Sequence, residues 1–205
     1  MELKPWTIQS SRQVLKDRWI DVRADDCVTS EGHSISPYYV LSYPDWVHVV
    51  AIGDDSSVLL LEQYRHGLGI VSLEVPGGGI DAGETPLEAG KRELLEETGF
   101  EARHWQYCGR LAPNPAMQTN YSHIVLATGL MESQAPMNDP SERVVLRQLP
   151  LTEAVNKAIT GGICQAIHTS ALLLALAHGN LVKITAETHF NDIHARRARL
   201  SNQGS

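Results

Sequence analysis

The chain has 205 residues, with 42% apolar and 20% charged side chains. That balance describes one good-sized globular domain, or a domain with a small appendage, and excludes a disordered chain. The formal net charge of −7 excludes broad binding to a nucleic-acid backbone, which needs a basic surface, but leaves room for a small anionic ligand met by local positive charge.

The first 45 residues read as strands and turns. Val14 to Val22 mixes apolar and charged residues, the cluster 29–33 (TSEGH) is a turn, and Ser34–Leu41 is rich in β-formers. Two strands around a glycine turn predict a hairpin, which must pack on something to be stable. Val47–Ile52 and Val58–Tyr64, separated by a turn at 53–56, predict a second hairpin. Val71, Leu73 and Val75 alternate with Ser72 and Glu74, the pattern of a half-buried strand, and Pro76 with Gly77–Gly79 breaks it in a glycine-rich turn.

A helix is predicted next, from about Pro86 to Thr98. Thr85 is a suitable N-cap, Pro86 fits the first helical position, Glu88 completes a capping box, and Gly99 suits the end. Strand-like stretches follow at Trp105–Leu111, Ser122–Ala127 and Val144–Leu149. Helical spacing runs from Thr152 to about His178, interrupted at Gly161-Gly162, and a basic stretch occupies 194–199 (HARRAR). His168, in that apolar helical stretch, reads as a satisfied core or interface histidine. The longest strongly apolar run, Ala171–Ala177, is far short of the ~20 residues of a membrane helix. The N-terminal segment has no signal-peptide pattern, and three scattered cysteines (Cys27, Cys108, Cys164) fit neither a disulfide framework nor a zinc site. A cytoplasmic protein with reduced thiols, bound to neither membrane nor nucleic acid, is the expectation.

The predicted helix carries the chemistry. Leu87, Leu94 and Leu95 give it an apolar face. Glu93 and Glu97 are one turn apart, with Glu96 beside them, near the end of a helix whose dipole disfavours anions. Glu84 adds a carboxylate just before the cap, and Arg92 can reach Glu88 or Glu96. Clustered carboxylates with too few cations suit a hard divalent ion, Mg²⁺ or Mn²⁺, and the glycines upstream offer backbone amides and carbonyls to a metal and a phosphate.

These residues resemble the Nudix hydrolase family. Gly78, five residues, Glu84, seven residues, then Arg92-Glu93-Leu94-Leu95-Glu96-Glu97-Thr98-Gly99-Phe100 reproduce the Nudix box in full. The resemblance implies an α/β fold, an α/β/α sandwich with a central mixed sheet and an N-terminal antiparallel β extension. It also implies metal-dependent cleavage of a nucleoside diphosphate linked to another group. Glu93, Glu96 and Glu97, with the Gly77 carbonyl, would be the metal ligands, and Arg92 would orient a glutamate.

Flanking residues Gln63-Tyr64-Arg65 and Glu74-Val75-Pro76-Gly77-Gly78, with Pro115 after the box, resemble the ADP-ribose and nucleotide-sugar pyrophosphatase branch. By that analogy residues 1–45 form a dimerising extension that contributes to a nucleoside pocket, and 46–205 the hydrolase domain. Arg65 would bind a substrate phosphate, against a surface salt bridge. Trp19 with Tyr38 or Tyr39 would stack on the base, against sheet packing at a dimer interface. Gly78 and Pro115 would touch substrate. Glu142 matches a catalytic loop glutamate, against a solvated loop residue. Asn114-Pro115-Ala116 departs from the Ser-Pro-Gly more usual in ADP-ribose enzymes. GDP-mannose, dinucleoside polyphosphates, NADH and nucleoside triphosphates therefore stay open as substrates. A non-catalytic nucleotide-sugar sensor is the remaining alternative, although the box glutamates are all present.

Overall fold

The computed structural model describes residues 3–137 and 143–182. Glu142 and the basic stretch at 194–199 lie outside them.

The first 45 residues form three antiparallel strands rather than one hairpin: β1 (Thr7–Lys16), β2 (Asp21–Val28) and β3 (Ser34–Leu41). The reversal falls inside the stretch read as a single strand from Val14 to Val22. Its cause is Asp17, whose side chain accepts the amides of Trp19 and Ile20 and closes a turn. Backbone bonds between Leu41 and the segment at Met117 and Thr119 tie this small sheet to the rest of the chain.

The second sheet has seven strands: β4 (Trp46–Ile52), β5 (Ser57–Arg65), β6 (Ile70–Glu74), β7 (Gly77–Gly79), β8 (Phe100–Leu111), β9 (Ser122–Glu132) and β10 (Val144–Pro150). Its order is β10-β5-β4-β9-β8, with β6 added to β5 and β7 to β4. It is mixed, because β4 and β9 run parallel while the other pairs are antiparallel. Alternation sorts its two faces. Val47, Val49, Ala51, Leu59, Val125 and Ala127 pack under α1 (Pro86–Thr98). Val50, Ile52, Leu60, Ile124 and Leu126 pack under α2 (Leu151–Thr160) and α3 (Ala166–His178). The result is an α/β/α sandwich.

One irregularity makes the site. β4 pairs with β5 only at Ala51 and Ile52, whereas at Trp46–His48 its neighbour on that side is β7. The two central strands therefore splay, and the chain from β6 to β7 fills the wedge. Gly77–Gly79, expected as a turn, is thus a short strand. Glycine is needed there because β7 lies close against its neighbours: a methyl on Gly77 would overlap the Val47 carbonyl oxygen, and Gly77 has φ +153°. β6 is half buried, but its buried residues are Ser72 and Glu74, while Val71 is 66% exposed.

Candidate active site

Local signals set the box helix. Thr85 accepts the amide of Glu88 while the Glu88 carboxylate accepts that of Thr85, Pro86 opens the helix, and Gly99 ends it at φ 76°. Leu94 and Ala89 anchor one face in the core. Glu93 and Glu97 are thereby turned toward the splay in the sheet.

There a cleft of about 380 Å³ opens. Its walls are Trp46 and His48 from β4, Gln63 and Arg65 from β5, and the β7 glycines. Glu93 and Glu97 from α1, His168 from α3 and the adjoining Gln165 complete them. The Gly77 amide donates to Glu97 Oε2 at 2.8 Å, and no side chain separates the Glu93 carboxylate from Gly78.

Arg92 stands behind this wall and balances its charge. Its guanidinium donates to Glu84 at 2.9 Å through two nitrogens, to Glu93 at 2.8 Å, to Glu96 at 3.3 Å and to the Gly79 carbonyl at 2.9 Å. The bonds from Arg92 lower the Glu84 carboxyl to about 2, and those to Glu84 and Glu93 raise the arginine in turn. Glu88, which the sequence put within reach of Arg92, serves the capping box instead.

A second polar chain lies on the other wall. Arg65 forks onto Glu74, its Nε at 2.9 Å from Oε1 and its second nitrogen at 2.5 Å from Oε2. Glu74 is only 2% exposed, and His168 Nε2 lies 3.1 Å from the same Oε2. Burial pushes the Glu74 carboxyl up, but the bonds from Arg65 and His168 outweigh it and hold the group well below the usual carboxylate range. His168 Nδ1 accepts the Val75 amide at 3.3 Å. His48 meets His168 edge-on at 4.8 Å between ring centroids, and its Nε2 is 3.2 Å from Ser122 Oγ. Burial, followed by the neighbouring His168, lowers His48 from 6.5 to about 3, so it is neutral.

Of the residues singled out from sequence, Glu93, Glu97, Gly77, Gly78 and Arg65 converge on the cleft. Glu96 does not line it and pairs with Arg92. Trp19 is 71% exposed in the β1–β2 turn, beneath Arg18. Tyr39 on β3 and Pro115 in an exposed segment also stand away from the cleft walls. Tyr38 donates its hydroxyl to the Ala116 carbonyl. His168 is the satisfied core histidine that was expected, and it is a wall of the cleft besides. Trp46, His48 and Gln165 had drawn no attention. A histidine inside the apolar run WVHVVAI was the available signal for one of them.

Among the described residues, no three His, Cys, Asp or Glu side chains stand together as a ready metal cluster. Two carboxylates one helical turn apart, facing a backbone ledge free of side chains, do fit a divalent cation that keeps several of its waters. Glu93 and Glu97 would hold it at the ledge.

Residues 43–163 match the family described as NUDIX domain, and residues 6–41 match the nucleoside diphosphate sugar hydrolase N-terminal domain. The chain is 32% identical to an ADP-ribose pyrophosphatase of Mycobacterium tuberculosis, over 72% of each protein. It is 31% identical to a methanol dehydrogenase activator of Bacillus methanolicus, over 71% of this chain and 78% of the relative. A crystal structure of an ADP compounds hydrolase superimposes with a TM-score of 0.78 at 28% identity, covering 89% of this chain and 100% of that one.

Proposed function

The chain belongs to the NUDIX family, and from that premise we propose that it hydrolyses the diphosphate bond of ADP-ribose or a related nucleoside diphosphate sugar. Water adds to one phosphorus, the bridging P–O bond breaks, and the products are a nucleoside monophosphate and a sugar phosphate. The observation that carries this reading is the cleft that sets two box carboxylates, a glycine ledge and the Arg65 guanidinium around one space. The matching N-terminal domain and the names of the relatives support the substrate class.

The family works with a divalent cation, here Mg²⁺ with Mn²⁺ as a substitute, which when bound neutralises phosphate oxygens and acidifies water. Glu93 and Glu97 would hold it. Arg92 keeps the Glu93 carboxylate aimed at the ledge through its 2.8 Å bond. Glu96 is the third carboxylate offered to the ion, at the cost of its 3.3 Å bond to Arg92. Arg65, a wall of the cleft whose guanidinium is gripped by Glu74 through two nitrogens, is the proposed ligand of a substrate phosphate. Trp46 supplies a flat apolar wall. Glu142 is the proposed loop carboxylate that takes a proton from water or orients it. The Met137 amide bonds the Glu96 carbonyl at 2.8 Å, so the chain just before that loop starts at the box helix.

A homodimer belongs to the same proposal, with residues 1–45 as the joining extension and 46–205 as the hydrolase domain. All ten residues of β1 are exposed, Ile8, Val14 and Leu15 among them, an unpaired sheet edge with three apolar side chains that suits a second copy. Trp19, Tyr39 and Pro115 then serve a nucleoside pocket shared between the copies. A reducing cytoplasmic setting accords with three free thiols, and no described helix is long and apolar enough to cross a membrane.

The test is a panel of ADP-ribose, GDP-mannose, UDP-glucose, NADH and dGTP, assayed with Mg²⁺ and with Mn²⁺ and ranked by kcat/KM. ADP-ribose should lead. Glu97→Gln should lower kcat by at least ~1000-fold with an unchanged circular dichroism spectrum. Undiminished hydrolysis by that variant would remove the metal assignment. Light scattering should give twice the chain mass.

A further inference from the structure

We infer that His168 of α3 is a positioning residue for the phosphate-binding side of the cleft, holding Arg65 through Glu74 and the glycine ledge through Val75. This rests on the reading of Arg65 as a phosphate ligand. His168 is 3% exposed, and each of its ring nitrogens has one partner of defined sense. The Val75 amide donates to Nδ1, so that nitrogen carries no proton. Nε2 then carries the proton and donates to Glu74 Oε2 at 3.1 Å.

Glu74, Val75, Pro76 and Gly77 are consecutive, and every one of them is held. The Glu74 carboxylate is pinned by His168 and Arg65. The Val75 amide is pinned by His168. The Pro76 carbonyl is pinned by the Val49 amide at 2.8 Å, and the Gly77 amide by Glu97. One imidazole from α3 therefore fixes two successive anchors of the strip that ends at the cation-binding ledge. The carboxylate oxygen that accepts its N–H, Oε2, also accepts one of the two Arg65 bonds, and Oε1 accepts the other. Without the Nε2 donor, Glu74 loses one of the bonds that offset its burial. It can then tilt, and the guanidinium tilts with it. His168 reaches no substrate in this scheme; it acts through Arg65 and through the backbone.

Two conservative variants split the two bonds. Glutamine at 168 can place an amide N–H where Nε2 stood, and so keep Glu74. Asparagine can place an oxygen where Nδ1 stood, and so keep Val75 but not Glu74. In calorimetric titration with ADP and Mg²⁺, His168→Gln should bind within ~3-fold of wild type, while His168→Asn should bind at least ~10-fold more weakly. In ADP-ribose hydrolysis the Asn variant should show its loss in KM more than in kcat. The loss should shrink below ~2-fold when Arg65→Ala is already present, because the effect passes through that side chain. Equal ADP affinities for the two variants, or an undiminished effect in the Arg65→Ala background, would overturn the assignment. A wild-type protein inert toward ADP-ribose would overturn the substrate reading alone, since the ADP titration judges His168 without turnover.

Discussion

Replacing Gly78 with alanine separates the shape of the ledge from the stability of the fold. Gly78 lies in β7 and is not among the residues with positive φ, so alanine meets no backbone strain there. Its methyl would overlap Glu93 Oε1 and stand 2.7 Å from the carboxyl carbon and 2.9 Å from Oε2, where ordinary contact begins at 3.4 Å. The carboxylate must retreat by about 1 Å, which a flexible side chain does with little loss of stability. A 1 Å misplacement near reacting atoms costs about 100-fold. We therefore expect kcat/KM for ADP-ribose to fall by roughly 10- to 100-fold, or about 1.4–2.7 kcal/mol, with unfolding free energy within ~1 kcal/mol of wild type. Gly77→Ala is the contrast. Its methyl would overlap the Val47 carbonyl oxygen and stand 3.1 Å from the His48 Cα, and the residue has φ +153°. Backbone cannot step aside, so the strain of ~1–3 kcal/mol and a lost ladder bond of ~1 kcal/mol both fall on stability. Urea unfolding followed by tryptophan fluorescence, alongside initial rates, reads both variants. Wild-type kcat/KM in Gly78→Ala would refute the reasoning, as would a stability loss equal to that of Gly77→Ala.

Three further outcomes are expected. Thr85→Ala removes the acceptor for the Glu88 amide and should lower unfolding free energy by about 1 kcal/mol, read as a lower urea midpoint at unchanged slope. His48 takes a proton at 6.5 when unfolded and only near 3 when folded, so its neutral burial leaves stability complete above pH 6.5 and eroding as pH falls toward 3. By pH 5 the loss is about 2 kcal/mol, and His48→Phe should show a fall shallower by that amount in unfolding curves taken at both pH values. Arg92→Lys cannot reproduce a fork that reaches Glu84, Glu93 and the Gly79 carbonyl together; kcat/KM should drop at least ~10-fold, and a wild-type value would show that the fork does not aim Glu93.

How far the molecule could be read from its sequence depended on how far apart the deciding residues lie. The box helix was legible to the residue because Thr85, Pro86, Glu88 and Gly99 each act within a turn of themselves. The β1–β2 reversal was missed although its cause, Asp17, is also local, because turn chemistry by one aspartate is easily outweighed by neighbouring β-formers. Strand β6 could not be read at all in one respect. Hydrophobicity selects Val71 and Leu73 for the interior, yet Ser72 and Glu74 occupy it. Glu74 can be buried only because Arg65 and His168 meet it there, and His168 comes from a helix that packs on the sheet far later in the chain. The same holds for the cleft. Trp46 and Gln165 become neighbours of the box only through the splay of β4 and β5, a property of strand pairing and not of any motif.

The two arginines of the site show why its acidic residues do not destabilise it. Three carboxylates of α1 near a helix C-terminus with no basic residue in its last turn would repel one another and the helix dipole. Arg92 absorbs most of that repulsion by touching Glu84, Glu93 and Glu96 at once. Arg92 is not among the walls of the cleft, and the Glu93 carboxylate still faces Gly78. Arg65 is handled in the opposite way. Its charge is matched by Glu74 from within the protein, so that it can stand at the cleft wall without collapsing onto the box glutamates. If the two cations were instead paired directly with the catalytic carboxylates on the cleft side, a divalent ion would have to displace an arginine to enter. The folded chain limits that competition: Glu74 anchors Arg65, and Glu84 takes two nitrogens of Arg92, which shares its third between Glu93 and Glu96.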